Sequence, residues 1–248
     1  METVVMTLAA LPDDLVATRS ELHRIAAHVI ARARHAATAR FGLRATAGGF
    51  GSPAYGPQNE VVRVSGDLLV VDRAGDEGSS TRPHRITGST IAQLADHAGV
   101  VLAPGFSVGQ DTPELGDPDG VVTVDVAASD AFGAWLAMAT RALDEAVAAL
   151  GRSAAASSFQ LWPEHFDLGG DVLVGSGRVN LGASLGDGLH RAPYLYVGPW
   201  DGRRPGDAAF WNAPFGALLG YDDLAREPDP VAAAVEWIGR GARALRTV

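Results

Sequence analysis

SFQLWPEHFDLGGDVLVGSGRVNLGASLGDGLHRAPYLYVG, residues 158–198, decides the fold. It contains four short runs, SFQLW, FDLGGDVLVG, RVNLGASLG and APYLYVG, each rich in strand formers and each bounded by Gly, Ser, Asp or Pro. No helical period separates them. Parallel neighbours would need a crossover of a dozen residues or more, usually a helix, so consecutive runs are expected to pair antiparallel. The stretch is flanked by helical patterns. Ser129 or Asp130 is positioned to cap a helix through Leu150, with Phe132, Trp135, Leu136, Leu143 and Val147 on its buried face. Pro230 is placed near the first turn of a closing helix over 228–245.

The amino-terminal half repeats this plan. Residues 13–40 carry Leu15, Leu22, Ile25, Val29, Ala33 and Ala36 at three- and four-residue spacing, with Asp13 or Asp14 as the cap. His28, Arg32 and His35 share an adjoining face, expected to be half-exposed. FGLRATAGGFG then reads as a strand, SPAYGPQN as a loop, and EVVRVSGDLLVVD as a hairpin turning at Ser65-Gly66-Asp67. AGDEGSSTRP reads as a polar surface loop, IAQLADHAG as a short helix stopped by Gly99, 104–120 as irregular, and VVTVD as a strand. Helices and strand runs without βαβ alternation make this an α+β fold: antiparallel sheets packed with two long helices. One domain over 1–248 is expected, built from pseudo-repeat halves 13–100 and 125–248, each helix, β-meander, helix.

Composition narrows the chemistry. Cysteine is absent, which excludes thiolate nucleophiles, iron–sulfur ligation, cysteinyl zinc and disulfides. Lysine is absent too; all 20 basic residues are arginine. That excludes a pyridoxal phosphate Schiff base and P-loop nucleotide chemistry, and no cofactor is identifiable. A net charge of −9 argues against nucleic acid and anionic lipid as partners. The opening METVVMTLAALPDD has no basic residue ahead of its apolar run, so no export leader is expected. No stretch approaches the ~18 apolar residues of a membrane span, so the expected location is the cytoplasm.

The densest polar and aromatic stretch is 162–216. Glu164, His165 and Asp167 are the catalytic candidates. In an extended segment His165 and Asp167 would share one face, as metal ligands or as a base oriented by a carboxylate. With Asp187 and His190 they make the candidate metal set, at no recognised ligand spacing. Asn180, Asp187, His190, Arg191, Trp200, Trp211 and Asn212 are the ligand-binding candidates, and Arg178 or Arg191 suits an anionic group. Gly-x-Ser-x-Gly occurs around Ser107 and Ser184 without the following helix of a nucleophile elbow. Asp117-Pro118-Asp119-Gly120 lacks calcium-loop spacing and reads as a solvated turn.

The chain resembles a family of proteins of high-GC bacteria, and more distantly a domain-of-unknown-function family. The resemblance is carried by ELHRIAAHVIARARHAAT (21–38) with GLRATAGGFG (42–51), LWPEHFDLGGDV (161–172), VNLGASLGD (179–187) with PYLYVGPW (193–200), and FWNAPFGA (210–217). It brings no assigned activity and lends no residue a role; it marks Trp162–Gly216 as the signature region. The expectation is a small-molecule-binding protein or enzyme with a pocket lined by 162–216. The alternatives are a structural or interaction protein using the aromatic segment as a homodimer interface, and a serine or metal-dependent hydrolase. Whether it is an enzyme stays open.

Overall fold

A computed structural model describes residues 6–75, 78–151 and 154–246. The fold is α+β, with two five-stranded antiparallel sheets, ordered β1-β2-β3-β4-β5 and β10-β9-β8-β7-β6. The chain divides into two compact units: Leu11–Ala134 with Leu161–Phe166, and Met1–Ala10 with Trp135–Gln160 and Asp167–Val248. No helix among the described residues is long and apolar enough to cross a membrane.

In the amino-terminal unit, α1 (Leu15–Ile25) runs through a π-helical turn, Ala26–Ala31, into α2 (Arg32–Thr38). Every residue of the π turn is buried, His28 included. The wider turn rotates His28 away from the face expected to hold it with Arg32 and His35. Its imidazole Nε2–H donates to the Pro113 carbonyl at 2.7 Å instead. FGLRATAGGFG forms two strands rather than one, β1 (Arg44–Thr46) and β2 (Gly49–Gly51). The hairpin turning at Gly66 is present as β3 (Val61–Ser65) and β4 (Leu68–Gly75). Part of the segment read as a polar loop is β5 (Gly78–Arg85), whose register with β4 pairs Val70 with Pro83; residues 76 and 77 lie outside the described residues. Exposed along nearly all its length and at the sheet edge, β5 needs no apolar alternation and tolerates a proline. A capping box of Thr90 and Gln93 opens α3 (Ile91–His97). VVTVD is no strand; Val121 makes a single bridge to Thr90.

The long helix α4 (Val126–Leu150) starts a turn before Ser129, because the Asp125 carboxylate accepts the Ala128 N–H at 2.7 Å and caps it. In the carboxy-terminal unit its residues Trp135, Leu136, Ala139, Ala142 and Leu143 are fully buried. Each large side chain removed from water there contributes roughly 1.5–3 kcal/mol. The strands of the second sheet are β6 (Gln160–Trp162), β7 (Asp167–Val174), β8 (Gly177–Ser184), β9 (Tyr194–Pro199) and β10 (Ala217–Gly220). Short α5 (Tyr221–Ala225) and α6 (Pro230–Arg246) follow, and α6 packs on β7, β8 and β9. Asp229 caps α6, and Pro230 takes its first position.

Candidate functional site

Register on the carboxy-terminal sheet lines up Asp167, Ser184, Tyr194 and Gly220 across β7, β8, β9 and β10. The next row on that face is Gly169, Gly182, Tyr196 and Leu218. Alternation sends Leu168, Ala183 and Leu195 to the opposite face, where all three are buried. So one face of one sheet end collects two phenols, a carboxylate and a serine.

Glycine makes the geometry possible. The Tyr196 ring lies across the bare backbone of β7 and β8, where a Cβ on Gly169 or Gly182 would come within 2.5 or 2.3 Å of its hydroxyl oxygen. That path carries the hydroxyl to Asp167, and it donates to Oδ2 at 2.7 Å. Tyr194 donates to Asp187 Oδ2 at 2.5 Å. Asp187 is fixed from the backbone, its Oδ1 accepting the N–H groups of Leu189 and His190 at 2.8 and 2.9 Å. His190 Nδ1–H donates to the Ala192 carbonyl at 2.9 Å, which leaves Nε2 as an acceptor in the neutral ring. The Phe215 ring stacks on Tyr194 and meets Tyr196 edge-on, at centroid distances of 6.3 and 6.1 Å. Burial first, and then the neighbouring carboxylates, push both phenols well above their ordinary values. They act as neutral donors, and donation to a carboxylate favours its charged form.

The other expected residues fall into separate places. Trp162–Phe166 is a turn closed by the Phe166 N–H on the Trp162 carbonyl at 2.7 Å, with Phe166 at φ +53°, so the extended alternation argued for Glu164 to Asp167 does not hold. Glu164 and His165 belong to the amino-terminal unit, Asp167 to the carboxy-terminal one. Glu164 is buried, its side chain against Gly109. His165 is 52% exposed, with Nδ1 3.2 Å from Asp111. Among the described residues no group of three or more His, Asp or Glu side chains is arranged to hold a metal ion.

Asn180 accepts from the Trp200 indole at 2.7 Å, and Arg178, ion-paired with Asp171, lies 5.8 Å from that ring. Trp211 donates to the Pro205 carbonyl at 2.8 Å and meets Phe210 edge-on. Asn212 both donates to and accepts from the Leu218 backbone, at 3.0 and 2.8 Å, closing part of the free edge of β10. Arg191 is exposed.

The Ser107 hydroxyl donates to the Gly109 carbonyl at 2.8 Å in a loop with no helix behind it. Ser184 Oγ accepts the Gly186 N–H at 3.0 Å. A serine–histidine contact the sequence reading missed joins His84 and Ser89 at 3.1 Å. It lines a cleft of about 750 Å3 with His97, Gln93 and Asp96. The Ser89 proton is already donated to the Arg85 carbonyl at 2.7 Å, so His84 is not drawing it off. Also missed was His23, stacked 5.0 Å from Phe166 with Nε2–H donating to the Pro163 carbonyl at 2.9 Å. Burial holds its pKa down at about 4.

Compared with known proteins, the chain matches no family model, no curated protein and no solved structure.

Proposed function

We propose that the chain is a small-molecule-binding protein whose site is the polar face formed by Asp167, Ser184, Asp187, His190, Tyr194 and Tyr196. The ligand class that fits is an organic cation, an amine or guanidine on an apolar body. One observation carries the reading: two phenol–carboxylate pairs and the Phe215 ring gather at one sheet end. Carboxylates beside aromatic faces attract cations electrostatically, and the rings supply the apolar wall. A net charge of −9 adds a long-range field of the same sign. Binding suits this set better than proton transfer, because general acid–base work needs groups poised near the working pH and both phenols are pushed away from it.

The test is thermal stabilisation of the whole chain by benzylamine and phenethylamine, against benzyl alcohol and benzoate as isosteric controls. The amines should raise the melting temperature with dose, and Asp187→Asn should abolish the rise. Stabilisation by neither amine would remove the proposal.

A second reading rests on Trp200, which is 62% exposed with its indole held by Asn180. An exposed, positioned tryptophan suits an interface between copies of the chain. Trp211, tied to Pro205, is the poorer probe of it. Sizing of Trp200→Ala beside the wild type decides: a dimer that dissociates supports the interface, and an unchanged elution volume opposes it.

A further inference from the structure

Arg32 follows directly on the π-helical turn, at the start of α2 in the amino-terminal unit. Its guanidinium stands 5.2 Å from the centre of the Phe106 ring. The Nε atom is buried and has no hydrogen-bond partner, although the residue as a whole is only half-buried. Arginine carries five donors in a fixed fork, so a buried Nε–H left without an acceptor is an uncommon arrangement.

Arg32 also lines a cleft of about 400 Å3. Ala33, Ala36 and Ala37 form one wall, and the Gly99–Val101 segment lies among the other lining residues. Val101 is 80% exposed, an apolar side chain left open to solvent at that cleft. Two further polar groups line it, and both are engaged: Tyr55 donates to Glu60 at 2.7 Å, and Glu60 is paired with Arg73. What remains is a half-buried guanidinium with one unpartnered nitrogen beside small apolar side chains, in a volume within the usual range for ligand pockets.

The geometry points to a second binding site here, for a small monocarboxylic acid with a short apolar tail, held by Arg32 with its tail along Ala33, Ala36 and Val101. The chemistry selects that class. A guanidinium fork matches a carboxylate's two oxygens, and drawing the fork toward an acceptor in the cleft also relieves the unmet Nε. A phosphate or other dianion is disfavoured, since a single arginine faces it and the Glu60 carboxylate lines the same cleft. Methyl-sized walls suit an alkyl chain and offer no donor for a sugar or base. This site is independent of the cation site proposed above, since its residues belong to the other unit.

The experiment is titration of the full chain with hexanoate, with 1-hexanol and hexylamine as uncharged and cationic controls, read by thermal shift and by saturation-transfer NMR. Hexanoate should bind in the millimolar range and stabilise the fold with dose, and the two controls should not. Arg32→Met should weaken hexanoate by roughly tenfold or more. Ala36→Leu keeps the guanidinium and fills the cleft, and should weaken it comparably. Retention of the wild-type hexanoate response in both variants, or no response in the wild type, overturns the assignment.

Discussion

The polar face of the carboxy-terminal sheet and the Arg32 cleft of the amino-terminal unit treat charge in opposite ways. On the sheet, each phenol has a carboxylate and Asp187 has backbone donors as well, so the charges are held by hydrogen bonds fixed in the fold. In the cleft, a guanidinium faces an aromatic ring and small side chains with no acceptor for its buried nitrogen. The difference teaches what each place is ready to take. A preorganised pair of carboxylates costs little to keep in position and draws a cation. An unmatched cation gains most from an anion. It also predicts which substitutions the fold will feel.

The largest effect should come from Gly182→Ala. The added methyl meets the Tyr196 phenol at 2.3 Å and the Leu168 carbonyl at 2.4 Å, and neither a ring locked on Asp167 nor a strand backbone can give way cheaply. A loss of roughly 3 kcal/mol or more is expected in denaturant unfolding. Gly99→Ala is the matched control: its φ is +69° but nothing lies within 4 Å of the new methyl, so about 1 kcal/mol is expected. Equal losses at the two sites would break the picture of Tyr196 as a wedged group.

Next in size is an acid response that belongs to the amino-terminal unit. In the unfolded chain His23 takes a proton near its ordinary value of 6.5; in the fold it does so only at about 4. The unfolded state therefore binds more protons between those values, so stability is intact above pH 6.5 and falls as pH drops through that window. His28 and His97 are also held down, chiefly by burial, and act with the same sign. The His23 share is on the order of 2–3 kcal/mol, allowing for partial solvent contact. Urea unfolding at pH 7 and pH 4.5 checks it, and His23→Leu should flatten the slope.

Smaller again, Tyr196→Phe should cost about 1–2 kcal/mol by leaving Asp167 short of a donor. Arg32→Met should change stability by less than about 0.5 kcal/mol, since its buried Nε has no hydrogen bond to lose and the methionine keeps the apolar stem. A large loss at Arg32 would mean that its charge is tied into the fold after all.

Much of this architecture is legible from pattern alone. The long helices announce themselves by period and caps, and six of the ten strands by apolar runs between turn residues. What failed has a common cause. GSSTRPHR is polar throughout, because an edge strand at the surface has no face to bury. ALLG and YDDLA are too short to show a period. The helix at 126 begins at an aspartate outside the run in which a cap was sought. The site was half visible: Asp167, Asp187 and His190 stand out as polar groups in an aromatic stretch. Tyr196 and its two glycines do not, because Gly169 and Gly182 become neighbours only once the strands find their register. Arg32 is hidden for another reason. A lone arginine on a helix reads as solvated, and nothing local reveals that its nitrogen is buried without an acceptor.

Amide chemical-shift mapping on the 15N-labelled full chain tests the two opposite charge preferences at once, with benzylamine and hexanoate titrated separately. The amine should move the amides of Leu189 and His190, which are donated to Asp187, and the carboxylate should move those of Ala33 and Ala36. A single shared set of shifted amides, or no shifts with either compound, would contradict the account.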